Sequence, residues 1–186
     1  MKASHFTFAA LALAPLAACN EAEPLSPEEV LARAQSLPRP DPGLYRITTT
    51  LVRFEMSEPA AADTAWAEAN MVTGTPSISE SCLAPEDAAR GFAPLVEAMA
   101  AGGCAITRFD VEGNRMGTDL TCENPQGTTS QITMIGTGSA TGSQLETRVV
   151  QSGPAVRGGT QEVETLTENE RIGECYTEEP SSGEAE

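Results

Sequence analysis

Residues 104–122, Cys-Ala-Ile-Thr-Arg-Phe-Asp-Val-Glu-Gly-Asn-Arg-Met-Gly-Thr-Asp-Leu-Thr-Cys, decide the fold. Apolar and polar residues alternate on both arms, the two-residue period of a half-buried strand, and Glu112-Gly113-Asn114 supplies turn chemistry between them. Folding the segment about Gly113 sets Cys104 opposite Cys122 and Ile106 opposite Leu120, with all four side chains on one face. A slip of one residue would put the two cysteines on opposite faces. The hairpin register and a Cys104–Cys122 bridge therefore predict one another.

Working outward, the same period recurs. Strands are expected at 105–111, 115–123, 130–137, 142–151 and 161–172, joined by Gly-rich turns, which points to an antiparallel meander. Upstream, residues 44–56 also alternate: Tyr45, Ile47 and Leu51 share one phase, and Val52, Phe54 and Met56 the other. The switch near Val52 predicts a bulge or a second packing surface. Residues 71–79 are a weaker strand whose Gly74 and Pro76 suit a sheet edge.

Helical signals are few. Ser26-Pro27-Glu28-Glu29 has an N-cap serine, proline at the first helical position and glutamate at the third, so a helix should run from here to about Leu37. Pro38-Arg39-Pro40-Asp41-Pro42 stops it, and the pair is expected to form a stalk and stiff linker. Pro85-Glu86-Asp87 opens a short helical turn that Gly91 and Pro94 interrupt, and residues 94–101 add another, closed by Gly102-Gly103. The expected fold class is thus mainly β (α+β), an antiparallel curved meander sheet with one short broken helix, preceded by a short N-terminal helix.

Four cysteines follow the turn at Asp41-Pro42-Gly43: Cys82, Cys104, Cys122 and Cys175. Three pairings are possible. The hairpin register takes Cys104 and Cys122, leaving Cys82–Cys175 to tie the helical segment to the last strand. On the chain-entropy account such bridges add roughly 3 and 4–5 kcal/mol respectively. Zinc is the competing use of four thiols, but no C-x-x-C pair occurs.

The amino terminus indicates an oxidising compartment. Lys2 gives a short positive region, and residues 6–16 form an apolar run too short to span a bilayer, as in a signal peptide. It leads into Leu16-Ala17-Ala18-Cys19, which resembles the lipobox of bacterial lipoproteins. In such a sequence the small residues precede the cut and the thiol of Cys19 carries the lipid. An ordinary signal peptide cut near Ala-x-Ala, with Cys19 incidental, is the alternative. Several acyl chains give stable membrane attachment. By the lipoprotein sorting rule, Asn20 after the cysteine favours the periplasmic face of the outer membrane. The expected organisation is signal peptide 1–18; lipidated terminus, helix and linker 19–42; disulfide-bridged β domain 43–175; and acidic disordered tail 176–186.

Composition narrows the chemistry. Asp and Glu number 27 against 11 basic residues, a net charge of −16, so a nucleic-acid backbone would be repelled. The only lysine is Lys2 and the only histidine His5, both within the expected signal peptide, whose removal takes the charge to −17. The remaining chain holds no histidine base or metal ligand and no lysine for a Schiff base or phosphate cradle. No cofactor is implied.

Pro42-Gly43-Leu44-Tyr45-Arg46-Ile47 resembles the Gly-Leu-Trp-Glu opening strand of the bacterial domain-of-unknown-function family 3617, and Cys82-Leu83-Ala84-Pro85-Glu86 its Cys-Leu-Thr-x-Glu step. Cys104, Cys122 and the closing Gly173-Glu174-Cys175 follow that family's cysteine order, with Tyr45 and Arg46 standing where Trp and an acid are usual. The resemblance spans residues 43–175. It implies an exported, Cys-bridged, mostly antiparallel domain, often borne by a lipoprotein, with no catalytic residues to carry over.

Other candidates have ordinary explanations. Asp110 and Glu112 flank a turn without calcium-loop spacing. Glu162, Glu164, Glu168 and Glu170 are expected on a solvated strand face. Arg46, Arg53, Arg108, Arg115 and Arg148 could line an anion pocket but in so acidic a chain should make cross-strand pairs. Gly136, Gly138 and Gly142 lack the following helix of a phosphate loop and are expected in turns.

Two functions remain. One is a cell-envelope lipoprotein acting as a non-enzymatic binding or structural module. It would be held to the membrane by its lipid and present its sheet to an envelope protein, a glycan or a small apolar ligand. The other is an envelope hydrolase using paired carboxylates without histidine.

Overall fold

A computed structural model describes residues 23–176. The expected signal peptide, Cys19 and the tail beyond Tyr176 lie outside the described residues. The elements in order are α1 (Pro27–Ala34), β1 (Gly43–Met56), α2 (Ala61–Asn70), β2 (Pro76–Leu83), α3 (Pro85–Arg90), α4 (Ala93–Ala101), β3 (Cys104–Glu112), β4 (Arg115–Glu123), β5 (Thr129–Gly138), β6 (Gly142–Ser152) and β7 (Gln161–Gly173). The seven strands form one open antiparallel sheet in the order β2-β1-β7-β6-β5-β4-β3. The mainly β, antiparallel reading holds, and the five strands from β3 to β7 meander as expected.

The meander is interrupted, however. β1 pairs with β7, so the first and last strands are neighbours at the sheet's centre-left, and β2 is the far edge. The chain must then cross from β2 to the opposite edge β3, six strand spacings or roughly 29 Å away. α3 and α4 make that crossing. This is why one face of the sheet is covered and the other open.

The hairpin register is Cys104↔Cys122 and Ile106↔Leu120, as the alternation requires. A bulge at Thr107 then shifts the pairing, so Arg108 faces Asp119 and the loop is Gly113-Asn114 rather than a turn centred on Gly113. Gly113 takes φ +61°, the positive φ a two-residue hairpin of type II′ needs at its first loop position. A second bulge falls at Val52, between Leu51 and Arg53 of β1, where the apolar phase switches.

β2 begins at Pro76 and not at Met71, and it is the edge strand expected from its proline. α2 has no counterpart in the sequence reading. Its Ala-rich sequence buries no residue and presents no apolar stripe. It is fixed by Trp66, whose ring meets Phe54 edge-on at 6.2 Å and lies under the Arg157 guanidinium at 5.1 Å. Asp63 pairs with the same arginine at 3.2 Å.

The helix expected as a stalk is instead part of the core. Ser26 and Glu29 form the capping box. From there Val30 and Ala34, one turn apart, pack with Val96 of α4 against Ile106, Phe109, Leu120 and Met134. Val30 and Val96 are 0% and 1% exposed. The backbone joins in: Leu25 N–H donates to the Ile106 carbonyl at 2.8 Å and Arg33 donates to that of Phe109 at 2.8 Å. The proline linker is also pinned. Asp41 N–H donates to Ala140 at 2.7 Å, and the buried Tyr45 hydroxyl donates to the Asp41 and Ala140 carbonyls at 2.7 and 3.1 Å. Burial, with Asp41 beside it, holds the Tyr45 hydroxyl above its ordinary pKa.

Cys104 and Cys122 close one end of the sheet, here the lower end, in line with Ser130, Gln151, Gln161 and Met56. Leu44, Gly173 and the 139–141 turn mark the upper end.

Candidate functional site

Strand alternation divides the side chains cleanly. Met134, Leu120, Ile106 and Phe109 point to the helices, so their neighbours in sequence point to the uncovered face. There the register sets Arg53, Glu164, Arg148, Thr133, Asp119 and Arg108 in one row across six strands, from β1 to β3.

The row is bonded in two groups, one at each end. Arg108 Nε donates to Asp119 at 2.7 Å and its Nη1 to Asp110 at 3.0 Å, while the Thr133 hydroxyl donates to Asp119 at 2.9 Å. Gly117 is what lets Arg108 lie flat, since a Cβ there would come within 3.0 Å of its Nη1. At the other end, Arg148 grips Glu162 with two donors at 2.9 and 2.8 Å and approaches Glu164 at 3.7 Å. Arg53 pairs with Glu162 from the far side and lies 3.8 Å from Glu164. Arg46 bridges Glu80 and Glu170 at 3.9 and 4.0 Å. Four of the five strand arginines thus make the expected cross-strand pairs, and Arg115 closes the hairpin opposite Glu112. The glutamates of β7 are not uniformly solvated. Glu162 and Glu164 are drawn down between the two arginines, with side chains 18% and 31% exposed.

These contacts set the protonation. The Arg108 hydrogen bond holds Asp119 below the ordinary carboxylate range against the opposing effect of burial, with Thr133 assisting. The Arg148 fork does the same for Glu162, and the Ser26 backbone bond for Glu29. A glycosidase general acid needs a carboxyl pushed the other way.

Beside the row, toward the upper end, lies a hollow of about 460 Å³. Val52, Leu166 and Ile135 give it an apolar floor, and Thr133, Glu146, Arg148 and Glu164 its rim. Val52 and Ile135 are 53% and 45% exposed. The Val52 bulge is what turns that side chain to this face beside Arg53. Of the three floor residues the sequence reading named Val52, as the site of the phase switch, but neither Leu166 nor Ile135. The available signals were Ile135 out of phase with Ile132 and Met134, and Leu166 alone among Glu162, Glu164, Glu168 and Glu170.

The cysteines form Cys104–Cys122 and Cys82–Cys175, with Cα separations of 4.1 and 5.4 Å. Cys82 sits on β2, not on the helical segment, because the strand continues to Leu83 before Pro85 starts α3. The second bridge therefore arches over Leu44 of β1, whose partners are Cys82 on one side and Gly173 on the other. Gly136 is inside β5 rather than in a turn, where a Cβ would meet Gln144 O and Leu145 Cδ1 at 3.0 Å. Gly138 and Gly142 flank the β5–β6 turn as expected. Asp110 is engaged by Arg108, and among the described residues no three His, Cys, Asp or Glu side chains gather as a metal would require.

The fold is thus an open, disulfide-bridged antiparallel sheet carrying helices on one face. Residues 40–175 match the family described as protein of unknown function (DUF3617), and the chain belongs to it. No curated protein and no solved structure matches the chain.

Proposed function

We propose that this is a lipid-anchored protein of the bacterial cell envelope, seated on the periplasmic face of the outer membrane, that acts by binding and not by catalysis. The lipobox-like Leu16-Ala17-Ala18-Cys19 supports the anchor, and two disulfides suit an oxidising compartment. The observation that carries the binding reading is the apolar floor of Val52, Leu166 and Ile135, with Val52 and Ile135 exposed, beside the Arg148–Glu164 and Arg53–Glu164 pairs. An apolar surface kept open beside a rigid polar rim is a recognition surface. Its size suits a small apolar ligand, and its openness also admits the apolar side chains of an envelope protein.

Two measurements test this. Cys19→Ser should move the protein from the membrane to the soluble periplasmic fraction; unchanged membrane association refutes the anchor. Native mass spectrometry of that soluble variant, gently purified, should show a reproducible increment above the disulfide-bonded chain. The increment should vanish in Ile135→Asp; its persistence there places the ligand elsewhere. The competing reading, a hydrolase with paired carboxylates, has Glu146 and Glu164 as its pair because both line the hollow. A hydrolytic activity abolished by Glu146→Gln would establish it over the binding reading.

A further inference from the structure

The helix and linker meant to separate lipid from domain are docked on the sheet, which limits how the domain can sit on a bilayer. This inference rests on lipidation of Cys19. Leu25 is hydrogen-bonded to Ile106 of β3 and packed against the core. From Leu25, α1 climbs away from the lower end: Arg33 reaches Phe109, and Leu37 reaches the cleft lined by Met116 and Gly136. Cys19 precedes Leu25 by six residues, which even fully extended span at most roughly 20 Å. The acyl chains must therefore enter the bilayer close to the lower half of the β3 edge.

Of the lower connections, 102–103 and 124–128 contain no charged side chain, and 153–160 carries Arg157, paired with Asp63. Glu123, closing β4, is the carboxylate beside them. The lower end's other acids are Glu23, Glu28 and Glu29 around the start of α1, and Glu55, Glu58 and Asp63 on the β1–α2 side. The diagonally opposite corner, above β2 and β7, carries Glu80, Glu86, Asp87 and Glu174, with Arg46 on Glu80 and Arg171 on Glu174.

We propose that the anchored protein stands on the bilayer on the lower end of β3, β4 and β5, with the β2 edge and the Cys82–Cys175 corner pointing away. The open face then runs up from the membrane, and its hollow is reachable by partners from the side.

Two single-tryptophan proteins test the orientation, since Trp66 is the chain's only tryptophan. In a Trp66→Phe background, Gln126→Trp marks the lower end and Tyr176→Trp the upper corner. Both positions are exposed, Tyr176 by 77%. From Gln161 to Gly173 alone, β7 rises roughly 40 Å. The lipidated proteins are reconstituted into phosphatidylethanolamine–phosphatidylglycerol vesicles containing a headgroup-dansylated lipid, and energy transfer to dansyl is measured. Transfer from position 126 should exceed that from position 176 several-fold. Equal transfer, or stronger transfer from 176, overturns the orientation while leaving the anchor intact. Failure to float with the vesicles overturns the anchor and the orientation with it, and is told apart by the flotation itself.

Discussion

Val30 decides between a helix that merely spaces and one that holds the domain together. It is 0% exposed and packs within the cluster of Val96, Ile106, Phe109, Leu120 and Met134. Val30→Ala removes two methyl groups, a transfer loss of about 1.6 kcal/mol at 0.8 per carbon, to which an unfilled cavity adds. A total of about 2–3 kcal/mol is expected, since the site lies between two helices and a sheet and cannot readily collapse. Alanine's better helix propensity returns only a few tenths. In a domain of this length about 2 kcal/mol lowers the melting temperature by roughly 4–8 °C. Urea unfolding of the Cys19→Ser protein, followed by circular dichroism, should show a lower midpoint with an unchanged m-value. Val72, 58% exposed, serves as control, and its alanine variant should stay within about 0.5 kcal/mol. If Val30→Ala also stays within that range, α1 is a stalk after all and the packing argument fails.

The disulfides should separate in the same assay. Replacing Cys104 and Cys122 by serine is expected to cost roughly 3 kcal/mol and replacing Cys82 and Cys175 roughly 4–5, from the longer loop closed; equal costs would count against the loop-length account. Acidification should weaken the fold through Asp119, Glu162 and Glu29, whose depressed pKa values mean stability is present above the unfolded-state values near 4 and lost as pH falls through the folded ones. These groups are partly or fully solvated, so the loss for Asp119 is modest, under about 1 kcal/mol; unfolding midpoints that hold flat from pH 7 to 3 would contradict it. Ile135→Asp, on the open face, should leave stability within about 0.5 kcal/mol, because the side chain is 45% exposed. A large drop in its unfolding midpoint would show that the hollow is structural packing.

Local chemistry was legible wherever one face of a strand is buried. The period of residues 104–122 specified both its register and its disulfide, because a slip would turn the apolar set to water. Even the bulge at Val52 was visible, as a change of apolar phase. What escaped was long-range. Nothing in residues 25–42 says that Val30 and Ala34 face a sheet some 70 residues on, and a short amphipathic helix reads equally as stalk or strap. α2 escaped for a different reason: its anchors are Trp66, held by Phe54 and Arg157, and Asp63, paired with the same arginine, all contacts made to other elements. The crossing of α3 and α4 depends on β1 pairing with β7, a contact more than 100 residues apart.

The candidate site was half legible for the same reason. Each arginine of the ladder was identifiable as a strand residue in an acidic chain, but the row exists only through five successive registers. Those registers also explain why the basic side chains are arginines. Arg148 holds Glu162 with two parallel donors, and Arg108 spans Asp119 and Asp110 across neighbouring positions. A lysine ammonium offers no such planar fork. The forks fix Glu162 and Glu164 of β7 and the aspartates of β3 and β4 in place, and leave Glu146, between Ile135 and Leu166 on β6, as the carboxylate of the hollow that no arginine clamps among the described residues. Arg148 and Glu164 hold the rim beside the apolar floor, so loosening the clamp with Arg148→Lys should close the hollow to ligand before it unfolds the sheet.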